Sequence, residues 1–173
     1  HIYVLRVLIS INIDHKYWKL NMVLQGKVEA DIEISAPADK FYNLFKSEAH
    51  HVPKTSQTGT ITGVAVHEGD WETDGSIKIW NYAIEGEVGT FKEKVELDDV
   101  NKAIILNGLE GDVFQYYKSF KPVYQFTQKN DGSSIAKVSI EYEKLSEEVA
   151  DPNKYIRLMT NIVKDLDAHF IKA

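Results

Sequence analysis

The sequence predicts one α+β domain in which a curved antiparallel sheet grips a single long helix. Three observations predict it: an apolar period of two through most of the chain, turn residues between consecutive period-two segments, and one long C-terminal segment at helical period. The 173 residues are 43% apolar, enough for one domain with a real core and too apolar for disorder.

Val28, Ala30, Ile32 and Ile34 alternate with Lys27, Glu29, Asp31 and Glu33, the pattern of a strand buried on one face and wet on the other. Ser35 and Pro37 then open a short helix carrying Phe41, Leu44 and Phe45, and a second short helical or irregular piece holds His50, His51 and Pro53. Thr58 to His67 reads as a strand and Glu68 to Ser76 as an acidic turn-rich loop. Strands follow at Ser76 to Ile84, Val88 to Leu97, Lys102 to Leu109, Asp112 to Gln128 and Ser134 to Glu143. Their joints, Glu85-Gly86, Asp98-Asp99, Glu110-Gly111 and Asn130-Asp131-Gly132, carry the residues that hairpins use for positive φ, so the strands form a meander. Asp151 as cap and Pro152 in the first turn introduce a helix to about Ile171, with Tyr155, Met159, Ile162, Val163, Leu166 and Phe170 on one face.

A net charge of −6 repels phosphate backbones and anionic lipid surfaces, so nucleic acid is not expected as a partner; nor is stable membrane insertion, since the apolar run near the start is short of the roughly 20 residues a span needs. No cysteine is present, which removes disulfides, thiolate nucleophiles and cysteine-bound zinc. The six histidines include no H-x-x-x-H or H-E-x-x-H spacing, so neither a metal nor another cofactor is expected. The first 21 residues open without methionine, and Ile2 to Ile13 is apolar but too short to span a bilayer and interrupted by Arg6. Residues 1–21 read as a leader or non-native extension outside the fold; the other reading is an extra strand or a surface-lying peptide.

The stretches HEGDWETDGSIKIWNY (His67 to Tyr82), LEGDVFQYYKSFKPVYQF (Leu109 to Phe126) and VSIEYEKL (Val138 to Leu145), in this order before an amphipathic helix, resemble the plant major latex proteins (MLP-like, ripening-related proteins). These belong to the Bet v I superfamily of birch-pollen-allergen-like, pathogenesis-related proteins. The resemblance covers residues 22–173 and implies a helix-grip fold: a curved seven-stranded antiparallel sheet around the long C-terminal helix, with two short helices after the first strand. It also implies a large apolar cavity and a cytoplasmic ligand-binding domain linked to plant defence and stress responses. Its guests would be hydrophobic small molecules such as a sterol, a fatty acid or a phenolic. Oligomeric state is not implied.

Parity along the strands assigns the inner face. It comprises Lys78, Trp80 and Tyr82; Ile104 and Leu106; Phe120, Pro122, Tyr124 and Phe126; and Ala136, Val138, Ile140 and Tyr142. Tyr155, Met159, Ile162 and Val163 of the helix face them. All but Ile104, Pro122 and Ala136 form the candidate ligand-binding set, mostly apolar with a few hydroxyls and one ammonium, as small-molecule pockets are lined. A filled core shows the same periodicity, and the residues alone leave hollow and filled cores both open.

The loop Gly69 to Gly75 stands where the resemblance has a glycine-rich loop. It lacks the P-loop lysine and holds Glu68, Asp70, Glu72 and Asp74, so it reads as a rim turn rather than a phosphate cradle, with Trp71 a rim aromatic or a packing staple. His50 and His51 read as solvated or capping. Lys78 and Lys118 both fall on the inward parity, where a lysine stem can line an apolar wall and offer its ammonium to a carboxylate. A non-catalytic carrier is the expected activity. The alternative is a cyclase or condensing enzyme on a plant secondary metabolite, with Lys118, Glu110 and Tyr124 as acid/base groups; for these the plain reading is a surface ion pair and a capping Glu.

Overall fold

The computed structural model describes residues 23–57 and 60–172. The expected leader, residues 1–21, and the Thr58 start of the second expected strand lie outside them. The chain forms strand β1 (Gln25–Ile34), helix α1 (Ala38–Ser47), a 3-10 turn (Ala49–His51), helix α2 (Val52–Thr55) and strands β2 (Ile61–Glu68), β3 (Ile77–Ile84), β4 (Glu87–Asp98) and β5 (Ala103–Gly111). A 3-10 turn (Asp112–Gln115), strands β6 (Tyr117–Gln128) and β7 (Ser134–Lys144) and helix α3 (Asn153–Lys172) complete it. The seven strands make one sheet in the order β1-β7-β6-β5-β4-β3-β2, with every neighbouring pair antiparallel. This is the helix-grip architecture of the α+β expectation. Among the described residues no helix is long and apolar enough to cross a membrane.

The expected single strand from Asp112 to Gln128 is corrected. Gly111 takes φ 140°, where an added Cβ would strike the Thr90 carbonyl, and the chain then winds through one 3-10 turn before β6 begins. Two interactions favour the turn over extension: Val113 is buried, and the Asp112 carboxylate accepts the Thr90 N–H at 2.7 Å. A second irregularity follows, a register shift between Tyr117 and Ser119 against β7. The Asp151 cap is also corrected. Its carboxylate accepts the Tyr142 hydroxyl at 2.9 Å and pairs with Lys144 at 2.7 Å, while the Pro152 carbonyl accepts the first helical amides.

The sheet is well paired except between β5 and β6, which meet only over Ala103–Ile105 and Val123–Gln125 before diverging. At one end the space under the sheet is filled by α1: Phe45 stacks on Tyr124 at 4.6 Å between ring centres, Phe41 stacks on Phe126 at 5.2 Å, and Phe170 of α3 meets Phe41 edge-on at 5.0 Å. There α3 also holds the β1–α1 corner, since the Asp167 carboxylate accepts the Ser35 and Ala36 amides at 3.0–3.1 Å. Asp167→Ala is expected to cost about 1–3 kcal/mol, the range for hydrogen bonds to a charged acceptor, read as a lower denaturant midpoint at unchanged slope.

A candidate ligand cavity with a buried carboxyl in its wall

Beyond those α1 aromatics the sheet and α3 do not close on each other. They enclose a cavity of about 70 Å³, counted over the positions a water molecule's centre can take. At roughly 10–15 Å³ per water position this is space for about five waters, or for one aromatic ring. Its walls come from β3 (Lys78, Trp80, Tyr82), β4 (Phe91, Glu93, Val95), β5 (Ile104, Leu106), β6 (Phe120, Pro122, Tyr124) and β7 (Ile140). Helix α3 supplies Tyr155, Leu158, Met159 and Ile162, and Phe45, Ala49, Ile61 and Val113 close the ends.

Ten of the fourteen candidate residues therefore reach this space: Lys78, Trp80, Tyr82, Leu106, Phe120, Tyr124, Ile140, Tyr155, Met159 and Ile162. Phe126, Val138, Tyr142 and Val163 do not line it. Phe126 is taken up by its stacking with Phe41 and Phe45, and Val138 and Val163 are fully buried in the packed core. Tyr142 packs edge-on to Tyr117 and binds Asp151. Parity told which face each residue occupies, and all four are on the inner face; it could not tell where along the strand the core is solid.

Lys118 is corrected more fully. It is exposed, because the irregularity at Tyr117–Ser119 places Tyr117 inward and breaks the alternation counted back from Phe120. Glu110 is exposed as well and faces Lys92 at 3.9 Å. Lys118 and Glu110 thus lie outside the cavity, and of the three groups of the enzyme alternative only Tyr124 lines it.

The sequence reading assigned no inner face to β4, and so missed Phe91, Glu93 and Val95. The signal was available: Glu93 sits between Phe91 and Val95 at period two. Glu93 is fully buried and stands directly opposite Lys78 across the β3–β4 pair. Its Oε1 accepts the Trp80 indole N–H, while Oε2 has no hydrogen-bond partner among the described residues. Lys78 does not come within 4.0 Å of it; the ammonium donates instead to the Trp71 carbonyl at 3.3 Å and lies 5.5 Å from that indole's centre. Burial pushes the Glu93 carboxyl up from 4.5 to about 8, and burial likewise pushes the Lys78 ammonium down.

The rim is built around the same lysine. His50 packs on Trp71 at 4.9 Å and on His51 at 4.0 Å between ring centres. The acidic loop holds itself: Asp70 accepts the Glu72 and Thr73 amides at 2.9 and 2.7 Å, and Asp74 accepts the Leu97 amide at 2.8 Å. Amides committed to carboxylates make no phosphate cradle. At the other end Tyr82 and Tyr155 meet edge-on at 6.2 Å and also wall an outer crevice with Glu87, Gly89, Asp112 and Lys154. These two rings stand between the cavity and that crevice.

Residues 23–173 match the model of the pathogenesis-related protein Bet v 1 family. The chain is 44% identical over 150 residues to MLP-like protein 28 of Arabidopsis thaliana, a match covering 86% of this chain and 44% of that protein's length. Its structure superposes on that of ginseng major latex-like protein 151 from Panax ginseng with a TM-score of 0.81 at 33% identity, covering 84% of this chain and 97% of the other. Norcoclaurine synthase from Thalictrum flavum shares the fold, with a TM-score of 0.71 at 18% identity over 86% of this chain and 95% of that one.

The carboxyl at Glu93 gives stability a definite pH dependence. The folded chain keeps this proton up to about pH 8, whereas the unfolded chain releases it near 4.5, so folding binds a proton between those limits and stability falls as pH rises through them. Glu93→Gln is expected to remove that part of the decline, up to about 1.4 kcal/mol per pH unit, in denaturation curves compared with the parent protein between pH 5 and about 8. Parallel profiles for the two proteins would contradict the assignment.

Proposed function

The chain belongs to the pathogenesis-related protein Bet v 1 family, and we propose that it binds, stores or carries hydrophobic small molecules in this internal cavity, as a carrier rather than an enzyme. The apolar space between sheet and helix carries this reading. The pathogenesis-related family description supports a place in plant defence or stress responses, and we assign the activity to the cytoplasm. Lys118 and Glu110, the acid/base groups of the condensing-enzyme alternative, are exposed and do not line the cavity, which supports the carrier reading over it.

The cavity as it stands takes one ring. Burying about 150–250 Å² of an aromatic guest is worth roughly 4–6 kcal/mol before the cost of immobilising it, so a single ring binds in the high micromolar to millimolar range. A sterol, fatty acid or larger phenolic would need more room. The wall able to yield is α3, which alone contributes Tyr155, Leu158, Met159 and Ile162, and methionine adapts readily to a changed shape. A modest outward shift of one helix enlarges the space without breaking a strand pair.

Toluene is the probe of choice, followed by the methyl resonances of Leu106, Ile140 and Met159. Saturable shifts confined to these residues are expected in the parent protein. Ile162→Phe is expected to fill the space, abolish the shifts and leave a folded protein within about 1–3 kcal/mol of the original stability. An unresponsive parent, or a variant that binds toluene equally well, would refute the reading. Native mass spectrometry of the protein from its own tissue would identify the natural guest.

A further inference from the structure

The buried carboxyl of Glu93 is out of keeping with a merely apolar container. A fully buried glutamate with one oxygen unsatisfied costs stability that a leucine would not, and such a group persists in cores where it does something. Its surroundings narrow what it can do. Oε1 is occupied by the Trp80 N–H. Glu93 lines the apolar cavity and its Oε2 has no hydrogen-bond partner among the described residues; Lys78, the cross-strand neighbour, acts on the carboxyl only at a distance, its ammonium being turned to the Trp71 carbonyl. A carboxyl in that setting keeps its proton, and the proton sits on the oxygen that has no partner. The result is an O–H donor without an acceptor, on a residue that lines a space sized for a ring.

We propose that Glu93 Oε2–H donates a hydrogen bond to a carbonyl oxygen of the guest, so that the cavity selects ring compounds bearing a ketone or aldehyde over hydrocarbons of the same shape. This rests on the carrier reading above and names its ligand class. An acceptor oxygen satisfies the orphaned donor at no cost in charge burial. A cationic guest is disfavoured, because Lys78 already places an ammonium in the same wall. The donor lasts only while the proton stays. The titratable groups around the site are Lys78 from β3, Tyr82 from β3, Tyr124 from β6 and Tyr155 from α3, with Asp70 acting on Lys78 from the rim loop. Burial raises Tyr82 and Tyr124 well above the usual phenol range and pushes the Lys78 ammonium down, while the Glu93 carboxyl is pushed up to about 8.

The test uses acetophenone and α-methylstyrene, which differ only in C=O against C=CH2, and measures both dissociation constants by NMR titration in the parent protein, Glu93→Leu and Glu93→Gln. Glu93→Leu is expected to lower the preference for acetophenone over α-methylstyrene by about tenfold. Glu93→Gln, which still offers an N–H, is expected to keep most of the preference and lose its pH dependence. In the parent protein acetophenone affinity should fall above about pH 8 and α-methylstyrene affinity should not. An unchanged preference in Glu93→Leu would overturn the proposal and leave the carrier reading standing. So would 1-phenylethylamine binding tighter than acetophenone in a Glu93-dependent way. Binding of neither ring probe to the parent protein would overturn both. A lower melting temperature for Glu93→Leu with the preference intact would show the carboxyl to be structural, and would also overturn it.

Discussion

A sheet of seven strands curled about one helix encloses more volume than that helix can fill. The constraint is geometric: strand spacing fixes the width of the sheet, antiparallel pairing along β3, β4 and β7 fixes its length, and twist makes it concave. One α-helix presents a single stripe of side chains to that concavity. At one end α1 makes up the deficit with Phe41 and Phe45 against Tyr124 and Phe126, and the core there is solid. Further along nothing is inserted, and the space remains between β3–β6 and the Tyr155–Ile162 stretch of α3.

Polar groups follow from where that space lies. Elsewhere in the described core the buried polar side chains find partners: Ser134 reaches the Ala36 carbonyl at 3.0 Å, and Thr55 the Val52 carbonyl at 2.8 Å. Glu93 and Lys78 face the cavity, where packing cannot supply partners, and each is held only on one side, by Trp80 and by Trp71 respectively. Trp71 therefore connects Lys78 of the inner wall to the rim, since it also packs on His50.

Much of this was legible in the sequence, and the limits have physical causes. Period-two alternation located all seven strands and the inward side of Lys78, Tyr82, Leu106 and Ile140, because a strand buried on one face has no alternative register. Alternation fails where the backbone departs from it, and two such departures, the 3-10 turn after Gly111 and the shift at Tyr117–Ser119, fall in the segment that carries Lys118. Depth along a strand is a tertiary property, so parity grouped Phe126 and Tyr142 with true cavity residues. Glu93 escaped for another reason: a charged residue at an apolar position looks like a break in the pattern although its side chain is as buried as its neighbours on that face.

Whether sheet and helix truly leave a hollow is best tested by a crystal of the ligand-free protein held under xenon pressure, since xenon enters empty apolar cavities and ignores filled ones. The account predicts a single ordered xenon atom in contact with Leu106, Tyr124, Ile140 and Met159. Side-chain density meeting across that space, with no xenon bound there, would contradict it.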